Sequence, residues 1–192
     1  MLKQDAPTFT PESSQAWRQW LKQHHQTEKS VWLVMYKQQS GKPVINWSEA
    51  VDEALCFGWI DSTRKTLDEH TFIQFFSRRK PNSNWSKINK DKVEKLIAAK
   101  KMTKAGLRCI EVAKQNGSWT ILDEVEQYLI PKDLEKAFKS HPGAKTWFTS
   151  QAKSVQKLML AWIAMAKRPE TREKRVATVA ESAGRKERPA NL

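Results

Sequence analysis

Cysteine is scarce in this chain. Cys56 and Cys109 are the only two in 192 residues, too few for a disulfide framework. Both fall in expected helices, where a cysteine acts as a small buried hydrophobe, and a reducing cytoplasm is the simplest setting. Six glycines and eight prolines exclude collagen, low complexity and a turn-rich β-sandwich. No apolar run approaches the ~18 residues of a membrane-crossing helix. Residues 1–14 hold no apolar h-region, so no signal peptide is expected. The four histidines, His24, His25, His70 and His141, have no neighbouring ligand spacing that suits a metal. Gly-rich phosphate loops, the nucleophile elbow and the HExxH pair are missing too. Neither a metal nor a cofactor is expected, and no catalytic residue is assigned.

Tryptophan, by contrast, is plentiful. Nine of them argue against disorder, and the length suits one domain or two small ones. The net charge of +13 is unevenly placed. Residues 1–76 are almost neutral, with 8 basic and 9 acidic side chains. Residues 78–114 hold 12 basic against 3 acidic, and residues 167–192 hold 8 against 4. An anion-binding surface therefore belongs to one of those two stretches.

Hydrophobic patterning predicts the elements. A helix over 11–25 opens on Thr10-Pro11-Glu12 and carries Trp17, Trp20 and Leu21 on one face. The β-branched and aromatic stretch 30–37 reads as a strand, followed by a turn at Ser40-Gly41-Lys42-Pro43. Ser48 is the expected cap of a helix that Gly58 ends. Residues 71–77 form a second strand, with Phe72 and Phe76 facing away from Ile73 and Phe75, and 60–66 pairs with it as a hairpin. Beyond Pro81 the pattern is helical. One helix spans 87–100 with Ile88, Val93, Leu96 and Ile97 inward, and another spans 104–116. Residues 118–131 read as a connector. The stripe Val155, Leu158, Met159, Trp162, Ile163, Ala166 marks a further helix. A last helix starts at Pro169, and 184–192 is expected to fray. The fold class is α+β: a small antiparallel sheet packed with helices over 1–117, then an all-helical module over 118–192.

Three clusters could carry function. In the first, Trp59, Asp61, Ser62 and Arg64 follow the helix exit at Gly58, where an aromatic beside a carboxylate can wall a pocket. The bland alternative is a turn closed by Asp61. In the second, Arg79 and Lys80 precede Pro81 and Trp85 ahead of a helix start, a pattern that suits an anion or a stacked planar group. The alternative is a solvated charge run with Trp85 as a core plug. In the third, Arg168, Arg172 and Arg175 offer a second basic surface, or simply pair with neighbouring glutamates.

The chain also resembles the YdeI/OmpD-associated (OmdA-like) bacterial family, often labelled bacteriocin-protection proteins. Four segments carry the likeness. They are residues 31–37 with Ser40-Gly41-Lys42-Pro43, residues 50–62, residues 79–86 running to Asn89, and Ala166-Lys167-Arg168-Pro169-Glu170-Thr171-Arg172. The resemblance implies a role in bacterial stress or in protection against antimicrobial peptides, and it supplies no reaction. The reading that follows is a non-enzymatic, cytoplasmic binding protein. Its pocket, formed by Trp59, Asp61, Ser62, Arg64, Arg79, Lys80 and Trp85, would take a small anionic or planar ligand. Two alternatives stand beside it: nucleic-acid binding through 78–114, or an enzyme using Asp61 or Cys56.

Overall fold

The computed structural model describes residues 6–42, 45–190 and 192. Pro43, the last residue of the expected turn, lies outside them. The fold is α+β. The chain forms two compact units: residues 1–83 with 88–116, and residues 84–87 with 117–192.

The first unit holds a four-stranded sheet. Its strands are β1 (Thr8–Phe9), β2 (Ser30–Tyr36), β3 (Trp59–Thr66) and β4 (Thr71–Arg78), in the order β1-β2-β4-β3. The β2, β4 and β3 strands are antiparallel, whereas the two-residue β1 joins β2 in parallel. That strand is too short to leave a period in the sequence. Asp68 closes the β3–β4 turn: one oxygen accepts from the His70 and Thr71 N–H groups, the other from the Thr71 hydroxyl. These three donors hold its carboxyl below the usual range.

Among the described residues, four α-helices and a short 3-10 turn (Gln38–Ser40) complete this unit: α1 (Ser14–His24), α2 (Trp47–Cys56), α3 (Lys87–Ala98) and α4 (Lys104–Gln115). The expected cap at Thr10 is corrected. Ser13 has extended backbone, and its hydroxyl accepts from Ala16 N–H at 3.0 Å, so α1 begins three residues later. The cap of α2 is likewise Asn46 and not Ser48. Asn46 and Glu49 accept each other's backbone N–H groups at 2.9 and 3.0 Å, a reciprocal capping box. The inward face of α3 is narrower than expected, because Val93 and Leu96 are buried while Ile88 and Ile97 are exposed.

Alternation divides the sheet. Val31, Leu33 and Met35 share one face with Phe72, Gln74 and Phe76; Trp32 lies with Ile73 and Phe75 on the other. Trp17 is fully buried from α1 against the first face, with its ring 5.4 Å from Phe76. Its indole N–H donates to Ala50 O at 3.0 Å, tying α1 to α2. At the end of α2, Gly58 adopts φ +75, and a Cβ there would lie 2.5 Å from Cys109 Sγ. Gly106 lets α4 approach the same place, since its Cβ would meet Cys56 O at 2.4 Å.

The second unit is helical: α5 (Asp123–Glu126), α6 (Lys132–Phe138), α7 (Ala144–Ser150), α8 (Lys153–Ala164) and α9 (Pro169–Gly184). The expected connector therefore contains one helical turn, α5. The unit's core gathers Leu134, Phe138, Phe148, Met159, Leu160, Ile163, Val179 and Ala183. The inward stripe of α8 is rotated from the expected one. Val155, Met159 and Ile163 are joined by Gln156 and Leu160, while Leu158 faces solvent. The expected fray at 184–192 is narrowed at the last residue: Leu192 packs on the core, its N–H bonding to Pro189 O.

Candidate functional site

The distinctive chemistry of the sheet unit begins with an irregularity in β3. Asp61 pairs with Phe76 and Arg64 with Gln74, so three steps on β3 match two on β4. This is a β-bulge, with Ser62 and Thr63 opposing a single partner. In a regular strand Asp61 and Arg64 would face opposite sides. The bulge instead puts both on the face of Phe72, Gln74 and Phe76.

Each side chain on that face is held differently. Asp61 Oδ2 accepts from Trp47 Nε1 at 3.0 Å and from Gln74 Nε2 at 3.2 Å. Gln74 is buried at 3 % exposure, whereas Trp47, at the start of α2, is 46 % exposed. A hydrogen-bonded chain thus leads from the sheet interior to an exposed indole. Arg64 is exposed and lies over the Phe72 ring, its Cζ 3.7 Å from the centroid. That contact holds the guanidinium against the ring by a cation–π attraction.

Lys92 reaches α2 nearby, donating to Ser48 Oγ at 2.6 Å and pairing with Asp52 at 2.5 Å. Arg18 pairs with Glu53 at 2.6 Å and donates to Lys101 O at 2.7 Å. These two cations brace the helices.

The seven candidates from the sequence are not all on an accessible surface. Asp61 is half-buried, and Ser62, Arg64 and Lys80 are exposed. Trp59 is 1 % exposed, sits edge-on to Trp20 and donates to His25 O at 3.4 Å. Arg79 is 8 % exposed, and burial draws its pKa down to about 10, against the opposing charges of Cys109 and Asp61. Trp85 is 1 % exposed and packs on Trp119, at 4.9 Å, within the helical unit. Two members of the site escaped the sequence reading, Trp47 and Gln74. Gln74 left a signal: it interrupts the apolar strand Phe72-Ile73-Gln74-Phe75-Phe76.

In the helical unit, Arg172 makes two hydrogen bonds to Asp133, at 2.6 and 3.2 Å. Arg175 donates to Trp162 O and lies over its ring, while Arg168 is exposed ahead of α9. Both thiols are held above the usual cysteine range. Burial pushes Cys56 up, opposed by a hydrogen bond with Arg18, and burial likewise raises Cys109 against the charge of Arg79. Among the described residues, no three His, Cys, Asp or Glu side chains group as a metal site, and no helix is long and apolar enough to cross a membrane. An open depression of about 520 Å³ runs along α4, between Lys104, Arg108 and Glu111. Its walls carry two cations and one carboxylate.

Fold and site together define a two-unit α+β protein with a polar, aromatic cluster where β3 meets the start of α2, and a separate helical core. Residues 9–109 match a domain of unknown function (DUF8412) over more than half the chain, and the chain belongs to that family. Residues 127–186 match the model described as bacteriocin-protection, YdeI or OmpD-associated, so the helical unit is of the YdeI/OmdA type. No curated protein and no solved structure matches the chain.

Proposed function

We propose that the chain is a non-enzymatic binding protein. It takes a small anionic ligand with a planar group on the β3–β4 face, through Arg64, Asp61, Ser62 and Trp47. The observation that carries this reading is the bulge, which turns Arg64 onto the same face as Asp61 and its exposed indole partner. Bulges recur where a strand must re-aim a functional side chain. Arg64 presents a flat, oriented fork suited to carboxylate or phosphate, and Trp47 supplies a stacking surface. Residues 1–117 act as the ligand-binding domain and 118–192 as the OmdA-like domain. The cytoplasm suits the two free thiols. The description attached to residues 127–186 supports a part in protecting bacteria against antimicrobial peptides.

The test is calorimetric titration with nucleotides, sugar phosphates and aromatic carboxylates, on the intact protein and on Arg64→Ala. Binding that Arg64→Ala weakens by about tenfold supports the site, that being the scale of one charged hydrogen bond. Equal binding by both proteins, or none at all, overturns it. Affinity for DNA or RNA that survives Arg64→Ala and falls steeply with salt would favour the basic stretch 78–114 instead.

A further inference from the structure

The same face holds two opposite charges that do not pair. Asp61 and Arg64 sit on neighbouring same-side positions of β3, yet no ion pair joins them among the described residues. The geometry gives the reason. Asp61 is turned toward α2 by Trp47 Nε1 and inward by Gln74 Nε2, both on Oδ2. Arg64 is laid along Phe72, one same-face position further down β4 than Gln74. Asp61 Oδ1 receives no donor among the described residues, and the Arg64 guanidinium meets no acceptor among them.

We infer that this face recognises a dipolar ligand, one carrying an ammonium at one end and a carboxylate or phosphate at the other. The donor end meets Asp61 Oδ1, the anionic end meets the Arg64 fork, and an apolar or aromatic middle lies against Trp47. Same-face positions on a strand are about 7 Å apart, and a dipeptide spans a comparable distance between its charged ends. A simple anion would satisfy Arg64 alone and leave the carboxylate as a like charge beside it. A simple cation would meet the converse penalty at Arg64. Only a ligand with both groups is favoured at each end. The inference rests on the ligand site proposed above and narrows its ligand class to zwitterions.

The probe is glycyl-phenylalanine, with two capped relatives. N-acetyl-glycyl-phenylalanine removes the ammonium, and glycyl-phenylalanine amide removes the carboxylate. Titration is followed by calorimetry and by the ¹H–¹⁵N resonance of the Trp47 indole, with Trp47→Phe to assign that signal. The expected result is binding of the free dipeptide that shifts the Trp47 signal. Each cap and each of Arg64→Ala and Asp61→Asn should weaken it by about tenfold or more. Circular dichroism of each variant checks that the fold is kept. If the acetylated peptide binds as tightly as the free one, the dipolar inference fails while the anion site stands. If no peptide, phosphate or carboxylate moves the Trp47 signal, both readings fail. A free dipeptide that binds without shifting Trp47 also overturns the inference.

Discussion

Among the described residues each unit buries one glutamine, and the two are used differently. In the helical unit Gln156 donates to Thr149 O at 3.0 Å and to Gln151 O at 2.7 Å. Those acceptors are main-chain carbonyls at the end of α7, which a buried helix end would otherwise leave unmet. In the sheet unit Gln74 donates to the Asp61 carboxylate, which is also held by an exposed tryptophan. The first glutamine closes a structural gap and stops there. The second begins a chain of side chains that reaches solvent. A buried polar residue that ends on backbone maintains the fold. One that ends on another polar side chain positions something beyond it.

The widest separation between the units comes from their largest buried rings. Trp17→Ala should cost the sheet unit about 3–5 kcal/mol, and Phe148→Ala should cost the helical unit a similar amount. Denaturant titration followed by circular dichroism reads both. A Trp17→Ala loss under 1 kcal/mol would mean that Ala50 and Phe76 are not anchored through that ring. Next is Gly106→Val, whose branches begin 2.4 Å from Cys56 O. Overpacking at backbone, where no flexible side chain can yield, should destabilise by about 2–3 kcal/mol; thermal melts measure it.

The glutamines themselves test the comparison more finely. Gln156→Ala should cost about 1–3 kcal/mol by leaving carbonyls unmet and should leave the Trp47 indole resonance in place. Gln74→Ala should cost a similar amount and displace that resonance, because Asp61 loses one of its two donors. If both variants move the Trp47 signal equally, the distinction between them is lost.

The smallest effect belongs to Asp133. Burial raises its pKa, but the hydrogen bond and charge of Arg172 outweigh this and leave it lowered. A folded-state pKa below the unfolded value stabilises above the unfolded pKa. The gain disappears as pH falls through the folded one. The pair is largely solvated, so it is worth less than about 1 kcal/mol. Arg172→Ala should therefore lower the melting temperature slightly at pH 7, and that difference should shrink as pH falls through the folded-state pKa of Asp133.

Much of the fold was legible because its elements obey single periods. The alternation of Phe72, Ile73, Gln74, Phe75 and Phe76 assigned both faces of β4 correctly. Gly58 marked the end of α2, where a positive φ and the approach of Cys109 both favour glycine. Caps were harder: residue type points to Thr10 and Ser48, whereas Ser13 and Asn46 are the side chains that reach the N3 amides. On α8, six apolar residues made a stripe wider than the core could cover, so Leu158 was left outside. The candidate site was only partly legible. The residue types of Trp59 and Trp85 fit a recognition group and a fold-forming residue alike, and the structure buries both. Trp47 is hard to single out in the sequence because its partner, Asp61, lies 14 positions away in the chain.

The bulge in β3 has an evolutionary corollary. Upstream of it odd-numbered residues face the helices, and downstream even-numbered ones do, so the strand carries one residue to spare. Loss of Ser62 or Thr63 would straighten β3 yet leave Arg64 opposite Gln74. The strand's facing can therefore survive a one-residue deletion, an event that would turn half of a regular strand inside out.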